Sequence, residues 1–176
     1  MPISDIPRIL EALNVSYALI GGQAVAARGH IRSTLDFDFL TTDKRVFDAA
    51  SWASLEGADV DIRKGDYDDQ FKGVVHIRLS DGPDTDVIVG KWKWEQAVID
   101  RAEQMDVGSM NVPVPRVGDL VLLKLAAGGP LDLNDVGNLM EVHGRAPIVA
   151  EVEAHIDEVR PDVRDTWAKL LASLSA

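Results

Sequence analysis

Two aspartates separated by a single apolar residue are the side chains in this sequence best suited to chemistry. Asp36 and Asp38 stand in the run Leu35 to Leu40, where apolar and acidic residues alternate with the period of a strand. On a strand, both carboxylates would project from one face with their Cβ atoms roughly 6–7 Å apart. They would repel each other unless a cation lay between them, and hard oxygen ligands suit Mg²⁺ or Mn²⁺. The same pattern is also typical of a strand edge whose acids face water.

A glycine pair lies upstream of these acids. Gly21 and Gly22 follow the apolar run Tyr17 to Ile20 and precede the alanine-rich stretch Gln23 to Arg28. This order predicts a buried strand, a tight turn and a short helix whose first N–H groups can bind phosphate, although an ordinary turn has the same pattern. Arg32 stands four residues before the first aspartate, so it can reach the same ligand or form a salt bridge with the acids.

The stretch Leu19 to Phe39, LIGGQAVAARGHIRSTLDFDF, resembles the signature of the nucleotidyltransferase (polymerase-β-like) superfamily. That signature is an apolar residue, Gly-Gly or Gly-Ser, a spacer, and then two acids separated by one apolar residue. The run Arg32 to Asp38 is similar to the R-x-T-x-D-x-D form of bacterial minimal and toxin-type members. The residues that match the superfamily signature are Gly21, Gly22, Asp36 and Asp38.

The resemblance implies a third carboxylate on a later strand. Asp86 is the preferred candidate because it lies in Thr85 to Val89, a β-branched run that predicts a strand. Asp84 follows a Gly-Pro pair and fits a turn better. Asp61 is a weaker competitor, since its strand is shorter and two basic residues follow it closely. The residues that the resemblance assigns to metal binding and catalysis are therefore Asp36, Asp38 and Asp86.

A second resemblance lies nearer the C-terminus. Leu123 to Ala127, followed by Asp132 and Asp135, is similar to the K-x-x-A … D-x-x-D segment of abortive-infection toxin nucleotidyltransferases. It implies that Lys124 contacts the triphosphate and that Asp135 supports catalysis. A lone lysine in an apolar helix also often extends along the surface to water, and Asp132 would suit a helix N-cap after Pro130. The Gly-Gly-Pro linker between the two parts departs from relatives that carry a basic residue there.

The order of the predicted elements favours an α+β fold. A strand-rich part, residues 1–115, would form a mixed-sheet nucleotidyltransferase core flanked by helices, and a helical region, residues 116–176, would pack on it or belong to one single domain. The pattern predicts one helix from Lys44 to about Leu55 and another from Trp94 to about Glu103. Val112 to Pro115 predicts an extended connector.

Charge limits the partners of this chain. Its 176 residues include 18 Lys plus Arg and 29 Asp plus Glu, a formal net charge of −11. The surplus argues against a broad basic face that grips nucleic acid, but not against phosphate bound through a divalent metal. The lack of cysteine excludes disulfides, thiolate zinc sites and a Cys nucleophile. The four histidines lack the spacing of a zinc-hydrolase motif.

The sequence does not predict a membrane protein. No apolar run approaches the ~20 residues that a membrane-spanning helix needs. Met1 to Leu10 contains an acid and lacks the long apolar segment of a signal peptide. We therefore expect a cytoplasmic protein with no membrane partner.

The function implied by the resemblance is metal-dependent transfer of a nucleoside monophosphate from a nucleoside triphosphate to a hydroxyl group. The cofactor would be Mg²⁺ or Mn²⁺, and the acceptor a tRNA or other RNA, a protein or a small molecule. The toxin-type resemblance adds an antitoxin protein as a partner. One alternative is an inactive member of the fold that serves as a nucleotide sensor or protein-binding module. Another is an antibiotic nucleotidyltransferase, since an acidic chain suits a cationic aminoglycoside better than a tRNA.

Overall fold

Helices and strands alternate through the first two thirds of the chain, and helices alone follow. The computed structural model describes residues 4–31, 33–80 and 82–173. The helices are α1 Asp5–Ala12, α2 Gly21–Ala27, α3 Lys93–Asp100, α4 Val117–Ala127, α5 Pro130–His143, α6 Arg145–Glu153 and α7 Pro161–Ser173. The strands are β1 Tyr17–Ile20, β2 Phe37–Thr41, β3 Asp59–Lys64, β4 Gly73–Arg78, β5 Thr85–Val89, β6 Glu103–Val107 and β7 Met110–Val114. The predicted α+β class is confirmed.

The central sheet is mixed and has the strand order β1-β2-β5-β4-β3. Strands β2 and β5 are parallel, whereas the other neighbouring pairs are antiparallel. The register places Asp38 of β2 between Ile20 of β1 and Asp86 of β5. It also places Asp86 beside His76 of β4, and His76 beside Asp61 of β3. These five residues form one row across the sheet, and its three middle members, Asp38, Asp86 and His76, are all polar.

Strand β2 is shorter at its start than the alternating pattern predicts. Asp36 precedes it, so the prediction that both aspartates of the pair lie on the strand is wrong. The reason is the lack of a partner: β1 ends at Ile20, because α2 begins directly at Gly21. On the other side the ladder closes where the Phe37 N–H donates to the Asp84 carbonyl oxygen, at 3.0 Å.

Two further local predictions are wrong. In place of one helix from Lys44 to about Leu55, the chain forms 3₁₀ turns at Lys44–Phe47 and Ala49–Trp52. Asp48 separates them with an extended backbone, and its side chain accepts a hydrogen bond from the Ala50 N–H at 3.0 Å, which starts the second turn.

The β6–β7 hairpin was also unexpected. The helix predicted from Trp94 to about Glu103 ends at Asp100, and Glu103 begins β6; β7 covers most of the predicted extended connector. The two-residue turn of the hairpin has Gly108 at its first position, with φ 60°. This is the position at which a tight hairpin favours glycine. Pro113 is tolerated in β7 because a two-stranded ribbon leaves one side of each strand without a ladder.

Helix α4 is the element that joins the sheet to the helical region. It is apolar on nearly every side and packs against α2, α5, α6 and α7, as expected for a helix buried all round. One continuous hydrophobic core includes residues from both parts, and the division at residue 115 stays a prediction. Within the described ranges, no helix has the length and hydrophobicity that a membrane crossing needs.

Candidate active site

A cleft of about 610 Å³ lies between one face of the sheet and helices α4 and α5. The sheet contributes the middle of the polar row described above, and α4 contributes a largely apolar wall that carries one lysine. Apolar residues of β1, β2 and β5 line the sheet side next to the acids. The carboxylates that line the cleft are Asp36, Asp38, Asp84, Asp86, Glu95 and Asp132.

Asp38 and Asp86 are direct neighbours on the parallel strands β2 and β5. Neighbouring strands lie about 4.8 Å apart, so these carboxylates project side by side into the same cleft. Asp36 reaches the cleft from the segment before β2, and Asp84 from the segment before β5. Asp61 lies on β3, at the edge of the sheet and two strands away from Asp86 on β5. It pairs with Arg63 of its own strand. The register therefore favours Asp86 as the third carboxylate, although its role stays a prediction.

Gly21 lies directly against Asp38. Its φ of 66° is in the left-handed region, and a Cβ at this position would overlap with the Asp38 carboxylate. Glycine is required for both reasons. Gly21 and Gly22 line the cleft at the start of α2, and their predicted contact with phosphate is not tested by the structure. The remaining predicted residue of this segment, Arg32, lies outside the described residues.

Lys124 is a buried cation that faces the cleft. Its side chain is only 9% exposed, and its Nζ lies 2.8 Å from Asp132 Oδ1 and 2.9 Å from Asp135 Oδ2. Asp135 is fully buried and influences the cleft through Lys124. Asp132 is not the N-cap of α5, which begins at Pro130; its second oxygen accepts from the Gly129 N–H at 3.2 Å within the first turn. The two acids hold the ammonium group in place.

His76 and Arg78 also line the cleft, and sequence reasoning missed both. His76 Nδ1 lies 2.6 Å from Asp86 Oδ1, and Arg78 pairs with Asp59 of β3 at 2.9 Å. A usable signal was present, because the alternation in β4 places these two side chains on the face opposite the buried Val75 and Ile77.

The far end of the cleft is formed by the start of α3. Trp94 and Glu95 line it, and Glu95 is only 2% exposed. Glu95 Oε2 accepts hydrogen bonds from the backbone N–H groups of Lys91 and Trp92, at 2.6 and 2.7 Å. Burial raises the pKa of the Glu95 carboxyl above its ordinary value, and the two backbone hydrogen bonds oppose that shift. This carboxylate secures the turn between β5 and α3.

The donor set of the cleft fits a hard divalent cation. Asp36, Asp38 and Asp86 offer carboxylate oxygens to one space, and two of them are adjacent by register. Across residues 4–31, 33–80 and 82–173, no group of three or more His, Asp or Glu side chains is gathered closely enough to hold a metal ion. The type of donor atom in the cleft therefore suits Mg²⁺ or Mn²⁺, and the metal site itself stays a prediction.

Two solved structures of the antibiotic-resistance factor ANT(2'')-Ia share this architecture. The solution structure of the antibiotic-resistance factor ANT(2'')-Ia aligns over 98% of this chain and 92% of its own, with a TM-score of 0.59 and 18% identity. The crystal structure of ANT(2'')-Ia with adenylyl-2''-tobramycin aligns over 86% and 93%, with a TM-score of 0.57 and 17% identity. The chain has the nucleotidyltransferase fold. This confirms the fold implied by the resemblance in Leu19 to Phe39.

A third similar structure is the lincosamide antibiotic adenylyltransferase LnuA with bound lincomycin. It aligns over 77% of this chain and 92% of its own, with a TM-score of 0.50 and 15% identity. No protein-family model matches the chain, and no curated protein matches it significantly. The likeness of this chain to known nucleotidyltransferases is therefore one of fold.

Proposed function

We propose that this protein transfers a nucleoside monophosphate from a nucleoside triphosphate to a hydroxyl group of a small, cationic molecule. The observation that carries the proposal is the register of Asp38 with Asp86 beside Gly21, in a cleft whose opposite wall presents Lys124. Two carboxylates placed side by side, with a buried cation across the cleft, suit a substrate that brings both a divalent metal and phosphate groups.

Each residue of the cleft has a distinct part in this proposal. Asp36, Asp38 and Asp86 would hold Mg²⁺ or Mn²⁺, which when bound neutralises phosphate charge and makes the acceptor hydroxyl more acidic. Asp86 accepts the proton of that hydroxyl as its oxygen attacks the α-phosphate and pyrophosphate leaves. Lys124 binds the departing phosphates, and the buried Asp135 orients the lysine through their ion pair. Gly21 leaves room for phosphate close to the backbone.

The charge of the cleft supports a cationic acceptor. Its lining includes six carboxylates against the two permanent cations Arg78 and Lys124. A cleft of one predominant sign attracts ligands of the opposite charge and repels a polyanion such as tRNA. Of the solved structures that share the fold, one contains adenylyl-2''-tobramycin and another contains lincomycin, which are small hydroxylated molecules. RNA or protein acceptors, and an antitoxin partner, remain the alternatives that the toxin-type resemblance implies.

The experiment is a transfer assay with the full chain. The protein is incubated with each α-labelled nucleoside triphosphate and Mg²⁺, in separate reactions with a panel of aminoglycosides and lincosamides, with tRNA, and with a protein mixture. We expect label on a small molecule and release of pyrophosphate. Label on tRNA or on protein would instead support the toxin-type acceptor.

Matched variants tie any activity to the cleft. Asp38→Asn should strongly reduce transfer, whereas Asp61→Asn should not, because Asp61 lies on the same sheet but is paired with Arg63 at 2.8 Å. Asp86→Asn and Asp84→Asn decide which acid is the third carboxylate. Nucleotide binding detected by thermal shift, with no transfer to any acceptor, would contradict the proposal and favour a nucleotide sensor.

A further inference from the structure

We propose that His76 is a positioning residue that holds Asp86 in the orientation required for metal binding. The inference rests on the proposed function, since it gives His76 a part in the same site. The imidazole hydrogen bond fixes one oxygen of the carboxylate, and the other oxygen is then the one presented to the cation. No histidine is among the four residues that match the superfamily signature.

The geometry that supports this is a contact between registered neighbours on β4 and β5. His76 lies directly beside Asp86, and its Nδ1 is 2.6 Å from Asp86 Oδ1. An ionised carboxylate can only accept hydrogen bonds, so the proton of this contact is on the imidazole nitrogen. Both side chains are partly exposed to the cleft, at 29% and 38%. The pair is therefore accessible to substrate and is not a buried structural contact.

Asp86 needs such a restraint because of its other neighbour. Asp38 lies beside it on β2, and two adjacent carboxylates favour rotamers that turn them away from each other. A hydrogen bond from the β4 side keeps Asp86 in one rotamer and offsets part of that repulsion. Hydrogen-bonded partners of metal-binding carboxylates commonly act in this way.

The polar groups around His76 already have partners of their own, so positioning Asp86 is the role that fits the histidine. Asp61, its neighbour on β3, is bound to Arg63 at 2.8 Å. Arg78, two residues along the same strand face, is bound to Asp59 at 2.9 Å. Both of these β3 acids, Asp61 opposite His76 and Asp59 opposite Arg78, are thus held by arginines, and the hydrogen bond of His76 goes to Asp86.

A second histidine provides an internal control. His155 Nδ1 lies 2.7 Å from Glu158 Oε1, with side-chain exposures of 30% and 41%. This contact has nearly the same length and exposure as the His76–Asp86 contact, but it does not line the cleft between the sheet and α4. Loss of either histidine should have a similar small effect on folding, and only loss of His76 should affect metal binding.

The test measures metal affinity, and it does not depend on catalysis. Mn²⁺ is titrated into the full chain, alone and with a non-hydrolysable ATP analogue, and free Mn²⁺ is followed by electron paramagnetic resonance. We expect His76→Phe to weaken Mn²⁺ binding by roughly 10–100-fold. His76→Asn should bind almost as the unmodified protein does, because its amide nitrogen can take the place of Nδ1. His155→Phe should leave Mn²⁺ affinity unchanged.

Several outcomes would overturn the inference. Equal Mn²⁺ affinity in the unmodified protein and in folded His76→Phe would show that the histidine does not position Asp86, while leaving the metal site intact. Failure of the unmodified protein to bind Mn²⁺ under either condition would remove the metal site itself, and with it the proposed function. If His76→Phe does not fold, His76→Gln replaces it, because its amide lies one carbon farther from the strand and should fail where His76→Asn succeeds.

Discussion

The molecule contains two polar cavities of similar size that use their charges in opposite ways. One is the cleft, and the other, of about 540 Å³, lies between the start of α4, β6 and α6. In the second cavity each acid meets a donor: Glu103 binds Arg28 at 3.1 Å and Arg116 at 3.2 Å, and Glu151 accepts from the Gly118 N–H at 2.8 Å. Positive and negative groups there are matched locally.

The second cavity joins the two parts of the chain. Asp119 of α4, almost fully buried, accepts two hydrogen bonds from Arg101 at 2.7 and 3.1 Å, which raise the pKa of that guanidinium. Arg28 donates to the carbonyl oxygens of Val114 and Pro115 at 3.0 and 2.8 Å, within the first part of the chain and directly before the predicted boundary. Arg101, which also pairs with Glu158 at 3.3 Å, connects the sheet-containing part to the helical region.

The cleft carries a surplus of one sign. Its lining includes six carboxylates against Arg78 and Lys124, and Asp38 and Asp86 lie side by side. Adjacent like charges repel each other, and a cation that binds between them reduces that repulsion. The difference separates a cavity that maintains the fold from one prepared to bind a cation. Substitutions in each cavity should therefore affect different measurements.

The largest expected effect is on catalysis at the like-charged pair. Asp38→Asn should lower the rate of nucleotide transfer by roughly 10²–10³-fold, because a metal ligand contributes several kcal/mol to the transition state. Its melting temperature should change little, because Asp38 lines the open cleft and is not part of the hydrophobic core. Calorimetry together with the labelled-triphosphate assay tests both. A lower melting temperature together with full transfer would show that Asp38 stabilises the fold and takes no part in catalysis, which would contradict the role given to the cleft.

Removing the arginine that pairs with Asp119, a lining residue of the second cavity, should have the converse result. Arg101→Met leaves the carboxylate of Asp119 buried without its main partner, at a cost of about 2–4 kcal/mol in the free energy of unfolding. Transfer by the fraction that remains folded should be normal. The matched control is Arg116→Met in the same cavity, where the exposed pair with Glu103 contributes under about 1 kcal/mol. Urea denaturation distinguishes the two variants.

Gly21→Ala tests the contact between the glycine turn and the acid pair. The left-handed φ should cost about 1–2 kcal/mol of stability, and the added Cβ should displace the Asp38 carboxylate and suppress transfer. Gly137→Ala is the control, because α5 has open space at that position and alanine should stabilise the helix by about 0.5–1 kcal/mol. Normal transfer by Gly21→Ala would contradict the close approach of the two residues.

The smallest effect concerns Glu95 and depends on pH. Burial raises the pKa of this carboxyl in the folded state above its ordinary value of 4.5. The folded state therefore binds the proton more tightly, and the free energy of unfolding falls as pH rises from 4.5 through the folded-state pKa. Glu95→Gln keeps an oxygen for the two backbone N–H groups and does not ionise. Its stability relative to the unmodified protein should increase across that window, and a constant difference would contradict this account.

The sequence predicted the local features of the candidate site better than its boundaries. The apolar run forms β1 and Lys124 lies on a helix, as short patterns predict. The glycine pair was predicted as a turn before the helix, and in the structure it forms the first two residues of α2. The position of Asp36 could not be predicted, because the start of a strand depends on where its partners begin and end. Here α2 replaces the β1 residue that would have paired with it.

The proximity of His76 to Asp86 is a second feature that local pattern could not supply. The alternation of β4 fixes which face its side chains occupy, but not which residue of β5 each one meets. That choice depends on the length and shape of the turn between the strands, where a shift of one residue exchanges the two faces. The same limit applies to Arg101 and Asp119, which pair across the core.

The parallel pairing of β2 with β5 has a consequence for engineering. The chain leaves β2 after Thr41 and reaches β5 at Thr85, and in the interval it forms β3 and β4 of the same sheet. Turns in that interval can be lengthened or shortened without changing the separation of the Asp38 and Asp86 carboxylates. A sequence pattern written to find other proteins with this site should keep the glycine pair and the first two acids at defined spacing, and should leave the interval to the third acid open.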